Sequence, residues 1–280
     1  WTLARGFTVV LQGEARNATA GRAGAVASRR PIDLSLFYFA SDEGDRGAAK
    51  YRLLLEGAKF ADANGFHAVW TPERHFHAFG GLYPNPSVAG AAIAVLTSRV
   101  GIRAGSVVLP LHHPIRVAEE WALVDNLSGG RVGISLASGW HPEDFVLRPD
   151  AFANAKQRMM TDVETVRRLW RGERVGFPGP LGKDVLVSTL PRPVQAELPV
   201  WVTAAGNPDT FRRAGALGVN VLTHLLGQTV EMLAERISAY RDAWAKAGHR
   251  GRGTVTLMLH TFVGENDAEV RRRVRAPMLR

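Results

Sequence analysis

The sequence has no cysteine among its 280 residues. Disulfide bonds, thiolate metal ligands and a cysteine nucleophile are therefore excluded, and the composition agrees with a reducing cytoplasm. No apolar run approaches the roughly 18 residues that cross a bilayer, and the chain does not start with the charged and then apolar pattern of a signal peptide. We therefore expect a cytoplasmic protein without membrane partners.

Acidic residues are scarce at both ends of the chain, which explains the net charge of +9. Residues 1–32 contribute +4 and residues 271–280 contribute +5, so residues 33–270 are neutral. Nucleic-acid binding requires a basic surface on the folded core. We therefore expect no nucleic-acid partner and interpret the basic ends as solvated tails or linkers.

A strand, a helix and a second strand are predicted between Gly101 and Trp140. The first apolar run ends at Pro110, the helix begins at Pro114 and ends at Gly129, and the second run reaches Trp140. A connection of helix length joins parallel strands that are buried on both faces. Ligands bind at the carboxyl ends of such strands.

The same alternation runs from Asp33 to the end of the chain. It predicts seven strands able to lie parallel, at 34–40, 66–75, 101–110, 131–140, 198–204, 219–225 and 254–263. An α/β fold of the TIM-barrel type, (β/α)8, lacking its last strand and helix, fits this pattern best. A doubly wound open sheet is the alternative, but it predicts a GxGxxG loop after the first strand, where the chain has ASDEG.

The barrel is predicted to occupy residues 33–280, with a β-hairpin excursion at about 173–197 where proline and glycine interrupt the alternation. We interpret residues 1–32 as a linker or the end of a preceding domain, although they contain the β-like run GFTVVL. A barrel without its eighth unit would expose a sheet edge, which normally requires cover.

Polar side chains follow the second predicted strand, at Glu73, Arg74, His75 and His77. A metal site is one interpretation, but the HFH spacing provides no clear third ligand. A Glu–Arg ion pair at the barrel mouth and an active-site wall are the alternatives.

Two further strand ends carry candidate residues. His112 and His113 precede the helix at Pro114 and either cap that helix or contribute to a ligand cavity. The segment 138–140, Ser-Gly-Trp, would let a planar ligand approach the backbone and contact the indole, although small residues are also ordinary in turns.

An anion site is predicted where a strand passes through small residues into a helix at Pro208. Free backbone N–H groups and the positive helix end would suit a phosphate there, while a plain helix cap by Asn207 is the alternative. Arg158 could supply the counter-charge or lie on the surface. Because GxSxG, Walker and CxxC motifs are absent, a bound cofactor is expected to carry the chemistry.

Three long motifs together resemble the bacterial-luciferase-like flavin monooxygenases. They are WTPERHFHAFGGLYPNPSV (70–88), the run from Ala104 to Trp140, and AAGNPDTFRRAGALG (204–218). The resemblance is closest to the subgroup of natural-product biosynthesis that is often embedded in peptide or polyketide synthetases. It implies the TIM-type barrel, reduced FMN (FMNH2) as cofactor, a separate flavin reductase as partner, and a homodimer as a possible assembly.

The resemblance also implies site residues. Gly105–Ser106 falls where the family often has a non-proline cis peptide under the flavin, Arg158 matches an arginine that binds the FMN phosphate, and Glu73 matches a flavin-side carboxylate. The full set of implied cofactor-binding residues is Glu73, Gly105, Ser106, Ser138, Gly139, Trp140, Arg158, Ala205, Gly206 and Thr210.

One position departs from luciferase. A catalytic histidine follows the carboxylate there, whereas this chain has Arg74, which cannot act as a base near neutral pH. The resemblance implies oxygen transfer from a flavin C4a-(hydro)peroxide to an acyl or aminoacyl group on a carrier protein. Arg74, His75 and His113 are predicted to stabilise the peroxide and to handle protons. A deazaflavin-dependent oxidoreductase and a non-catalytic flavin-binding or docking module remain the alternatives.

Overall fold

The computed structural model of the protein describes the backbone of residues 7–13 and, in addition, residues 32–42 and 46–278. The strands in this part of the chain are β1 (Phe7–Gly13), β2 (Asp33–Phe37), β3 (Ala68–Thr71), β4 (Gly101–Val108), β5 (Val132–Ala137), β6 (Val175–Pro178), β7 (Asp184–Val187), β8 (Val200–Thr203), β9 (Asn220–His224) and β10 (Val255–Thr261). The α-helices are α1 (Arg52–Ala63), α2 (Pro86–Leu96), α3 (Pro114–Ser128), α4 (Ala155–Arg171), α5 (Pro208–Ala216), α6 (Val230–Lys246) and α7 (Asp267–Met278). Short 3-10 helices occupy Gly47–Tyr51, Leu109–Leu111, Pro142–Leu147 and Pro149–Asn154.

Eight strands form a closed barrel in the order β1, β10, β9, β8, β5, β4, β3, β2. The seven strands from β2 to β10 in this ring pair in parallel with one another. The predicted barrel with seven parallel βα strands is therefore confirmed. Strands β6 and β7 lie outside the ring as an antiparallel hairpin within residues 173–197, the segment for which the sequence predicts an excursion.

Strand β1 corrects the interpretation of residues 1–32 as a linker. It pairs antiparallel with β10 on one side and with β2 on the other, so residues 7–13 belong to the barrel. The physical reason is that β2 and β10 would otherwise present unpaired N–H and C=O groups at two sheet edges. Residues 1–6 and 14–31 lie outside the described residues, and the linker interpretation stays a prediction for them.

Local sequence signals determine where the helices begin and end. Helix α3 has a proline at its first position and ends at Gly129, whose φ of 66° is in the left-handed region that glycine adopts readily. The helix predicted over 150–172 begins as a 3-10 turn at Pro149–Asn154 and becomes α-helical only at Ala155. None of the helices in the described residues is long and apolar enough to cross a membrane.

Aromatic side chains pack against one another inside the barrel. The rings of Trp70 and Trp201 pack edge to face with centroids 5.4 Å apart, and Phe37 stacks on Trp70 at 6.4 Å. The Trp201 indole N–H donates to the Thr256 hydroxyl at 3.0 Å, so its polar atom is satisfied inside the core. A larger apolar layer lies between the strands and the helices. The middle of the barrel is therefore filled by side chains, and free space remains at the carboxyl ends of the strands.

Candidate active site

A cavity of about 790 Å³ lies at the carboxyl ends of the parallel strands. Its wall brings together residues from four separate predicted segments, one within β4 and three that follow β3, β5 and β8. The predicted site residues that line it are Glu73, Arg74, Gly105, Ser106, Ser138, Gly139, Trp140, Ala205, Gly206 and Thr210. A second cavity of about 580 Å³ adjoins it and shares the 138–140 segment.

The floor of the larger cavity is built on β4. A cis peptide bond joins Gly105 to Ser106, as the family resemblance predicts. A Cβ atom on Gly105 would lie 2.4 Å from Cε2 of Phe37, so only glycine fits above the aromatic layer. The Ser106 hydroxyl forms a hydrogen bond with the Thr203 hydroxyl, which is also 2.8 Å from that of Ser135. These bonds hold the polar floor in one arrangement.

Glu73 is the centre of a buried hydrogen-bond network. Its side chain has no exposed surface, and its Oε1 lies 2.8 Å from His75 Nε2 and 2.7 Å from His112 Nε2. Its Oε2 accepts from the Val108 N–H at 2.8 Å. The Glu73–Arg74 ion pair, one of the alternatives considered from the sequence, is absent from the described residues, because both oxygens of Glu73 have these other partners.

The network lowers the pKa of Glu73 and raises the pKa of His112. Burial by itself would raise the pKa of Glu73, but the hydrogen bonds from His112 and His75 outweigh it and hold that pKa below its ordinary value. Burial by itself would lower the pKa of His112, but the hydrogen bond and charge of Glu73 raise it. The pair therefore favours a carboxylate beside a protonated imidazole.

Arg74 presents a buried guanidinium to the cavity. The residue is 8% exposed, and its Cζ lies 4.5 Å from the ring centroid of Trp140, a cation–π contact. Its Nε is buried and has no hydrogen-bond partner in the part of the chain that the structure describes. Trp140 itself is 74% exposed, so it stands at the open side of the cavity with the guanidinium behind it.

Three predicted site residues are not part of the cavity wall. His75 contacts Glu73 from behind it. His113 caps α3 through its Nδ1, which accepts from the Ile115 N–H at 3.3 Å, so the helix-cap alternative is the one observed. Arg158 faces Asp150, with Nη2 3.5 Å from its Oδ2. His113 and Arg158 therefore lie outside the cavity lining, and the roles that the resemblance implies for them stay predictions.

The loop before α5 combines the two alternatives that the sequence left open. Asn207 caps the helix through Oδ1, which accepts from the Asp209 N–H at 2.9 Å. Ala205, Gly206 and Thr210 nevertheless line the cavity, so the positive end of the helix faces it. A Cβ atom on Gly206 would meet only the end of the Arg236 side chain, at 3.9 Å, so the backbone is open to a ligand.

Sequence reasoning missed three residues with basic side chains that line the cavity. Lys156, in the first turn of α4, lines both cavities, and its Nζ is 3.6 Å from Oδ2 of Asp209. His224 and His260 line the larger cavity from β9 and β10. Burial lowers the pKa of His224, which therefore favours the neutral form. Both histidines occupy predicted strands, so the rule that sites lie at strand ends could have identified them.

Comparison with known proteins places this geometry in a family. Residues 32–280 match the luciferase-like monooxygenase family. The oxygenase component of the flavin-dependent trigonelline monooxygenase of Acinetobacter baylyi is 33% identical over 247 residues, which cover 84% of this chain and 67% of that protein. The described chain is also similar to monooxygenase RslO1 from Streptomyces bottropensis, with a TM-score of 0.68, 31% identity, and coverage of 75% of this chain and 65% of that one.

A third comparison supports the fold alone. The oxygenating constituent of 3,6-diketocamphane monooxygenase from Pseudomonas putida, solved in complex with FMN, has a TM-score of 0.71 at 21% identity and covers 84% of this chain and 68% of that one. This chain thus spans about two thirds of the length of each of these relatives. The predicted TIM-type barrel, the predicted luciferase-like monooxygenase family and the predicted enzyme class, a flavin-dependent monooxygenase, are therefore confirmed.

Proposed function

Because this chain belongs to the luciferase-like monooxygenase family, we propose that it binds reduced FMN and uses O2 to insert one oxygen atom into an organic substrate. The observation that carries the proposal is the cavity of about 790 Å³, in which all the residues implied for flavin contact except Arg158 meet from four separate segments. When bound, reduced FMN supplies two electrons to O2, so that one oxygen atom enters the substrate and the other leaves as water.

The residues present fit an FMN molecule. Gly105 provides a floor without a side chain, and the 138–140 segment provides a second backbone approach, since Gly139 has a φ of 77°. The loop before α5 offers N–H groups to a phosphate. We assign Lys156 as the cation beside that phosphate, in place of Arg158, because Lys156 lines the cavity next to α5.

Two features of the chain would assist oxygen transfer. The stacked rings of Phe39 and Phe79, 5.4 Å apart, form an apolar part of the cavity wall that keeps water from the reacting atoms. The Glu73–His112 pair holds a proton at His112 Nε2, while His75 makes the second bond to the same carboxylate. Arg74 and His75 stay our candidates for stabilising developing negative charge and for moving protons.

The physiological setting is also part of the proposal. The motifs of residues 70–88 and 204–218, which resemble the synthetase-embedded subgroup, support a natural-product intermediate on a carrier protein as the substrate. The name of the trigonelline enzyme as an oxygenase component supports a separate reductase as the source of FMNH2. A homodimer and a cytoplasmic location complete the proposal.

The test is an anaerobic titration with FMNH2, followed by rapid mixing with oxygenated buffer while absorbance is recorded between about 350 and 500 nm, where reduced and oxidised flavins differ. We expect binding, and a spectral phase distinct from both flavin states. Binding without that phase, and without substrate-dependent O2 consumption, would favour the non-catalytic or deazaflavin alternative. No binding would refute the FMN proposal.

Two variants test the assignment of the phosphate cation. We expect Lys156→Met to weaken FMN binding about tenfold, which corresponds to roughly 1.4 kcal/mol. Arg158→Met is the matched control and should leave FMN affinity within a factor of two or so. The reverse order of the two effects would restore Arg158 as the phosphate ligand.

A further inference from the structure

The guanidinium of Arg74, which has no counter-ion among the described residues, indicates a chemical property of the substrate. We propose that Arg74 binds a carboxylate on the substrate, with Trp140 as the aromatic surface beside it, so that the cavity selects compounds with an apolar body and a carboxylate end. This inference rests on the proposed function for the identity of the reaction and goes beyond it in naming the substrate class.

The charged groups of the described residues around the cavity leave Arg74 without a counter-ion. Among the described residues, Glu73 is the only carboxylate in the cavity wall, and its two oxygens are occupied by His75, His112 and the Val108 N–H. The other permanent cation, Lys156, lies beside Asp209. In the described residues no carboxylate lies within ion-pair distance of Arg74, and a substrate that covered it without supplying an anion would leave a buried charge unpaired.

The position of the guanidinium suits a planar oxyanion. The stem of Arg74 lies against Gly80, where an added Cβ atom would lie 3.0 Å from Arg74 Cγ. Trp140 covers one face of the guanidinium, so a ligand in the cavity would approach the other face or the N–H edge. A fixed, planar set of N–H donors matches the two oxygens of a carboxylate.

The surroundings determine what the carboxylate is attached to. The stacked rings of Phe39 and Phe79 and the side chains of Leu226 and Met258 line the same cavity. An aromatic or aliphatic body would therefore bury its surface there while its carboxylate reached Arg74. The carboxylate can belong to a free acid, or to a carrier-bound acyl group that has a second, free carboxylate, because the thioester consumes the first.

Paired acids and amides test the proposal without a known substrate. Benzoate and 3-phenylpropionate, with benzamide and 3-phenylpropionamide as neutral partners, are titrated calorimetrically into the protein saturated with oxidised FMN, which occupies the phosphate loop. We expect each acid to bind about 10- to 100-fold more tightly than its amide, as for a hydrogen bond between charged groups. In Arg74→Met, which keeps the stem, this preference should disappear, and Arg74→Lys should restore part of it.

Controls separate the possible outcomes. Arg116→Met, which removes an exposed arginine on α3, should behave like the unaltered protein. FMN affinity, measured by quenching of flavin fluorescence, should be the same in Arg74→Met. Equal binding of acids and amides, survival of the preference in Arg74→Met, or loss of FMN binding in that variant would each overturn the proposal.

Two further arms address the source of the carboxylate and the dependence on FMN. The S-pantetheine thioesters of succinate and butyrate compare an acyl group with and without a free carboxylate. Tighter binding of the succinyl thioester than of free succinate supports a carrier-bound source. Tighter binding of free succinate supports a free acid.

If FMN fails to bind at all, the proposed function fails, but the same acid and amide titrations of the ligand-free protein still decide the role of Arg74.

Discussion

Replacing Glu73 with glutamine should reduce stability most strongly at mildly acidic pH. The substitution keeps the size of the side chain but removes the charge that faces His75 and His112, and it turns one acceptor into a donor. Breaking a buried ion pair by removing one partner costs about 3–5 kcal/mol. We expect a loss of that size in the free energy of unfolding at pH 6.

The sign of the pH dependence follows from the two shifted titrations. Glu73 has its pKa lowered from 4.5, so its contribution is present above about pH 4.5 and is lost as pH falls through the folded value. His112 has its pKa raised from 6.5, so its contribution is complete below about pH 6.5 and is lost as pH rises through the folded value. The cost of Glu73→Gln should therefore shrink above neutral pH, toward the roughly 1–3 kcal/mol of lost neutral hydrogen bonds.

Urea unfolding followed by tryptophan fluorescence at pH 6, 7.5 and 9 measures this cost. Glu56→Gln is the control, because Glu56 makes an exposed pair with Lys59 that should contribute less than about 1 kcal/mol at any of these pH values. The double variant with His112→Gln isolates the pairwise energy. A cost for Glu73→Gln that does not change between pH 6 and pH 9 would refute a charged Glu73–His112 pair.

Two other substitutions test the floor of the cavity. Gly105→Ala places a methyl group 2.4 Å from Cε2 of Phe37, so we expect about 1–3 kcal/mol of destabilisation and weaker FMN binding. Gly176→Ala is the control, because its Cβ would meet its nearest neighbour at 3.5 Å. This control should change stability and FMN binding little. Thr203→Val keeps the shape but removes the hydroxyl shared by Ser106 and Ser135, which should cost about 1–3 kcal/mol in urea unfolding. A neutral result for Thr203→Val would mean that the two serine hydroxyls find other partners.

Much of the fold and part of the site could be predicted from the order of residue types along the chain. Seven buried strands with helix-length connections leave few arrangements other than a barrel, and the rule that ligands bind at the strand ends selects the same edge for every segment. That is why residues as distant in sequence as Glu73 and Thr210 were correctly expected to line one cavity. The sequence also indicates the segment that contains the β6–β7 hairpin, because proline and glycine interrupt the alternation of strands and helices there.

The direction of individual side chains could not be predicted in this way. His112 and His113 are adjacent on extended backbone, where successive side chains point to opposite sides, so one bonds Glu73 and the other caps α3. Lys156 and Arg158 are two residues apart on α4, which separates them by about 200° around the helix axis. The order of residues along the chain therefore does not show which member of each pair faces the cavity.

The sequence by itself thus determined the barrel, the edge at which its site lies and the segments that build it, because these depend on hydrophobic periodicity and on connection lengths. The tertiary structure alone decided three things: that β1 closes the ring, that Glu73 bonds two histidines, and that Arg74 has no counter-ion among the described residues. Each of these depends on which groups from distant parts of the chain meet in space, and on how many partners each polar atom finds once water has been excluded.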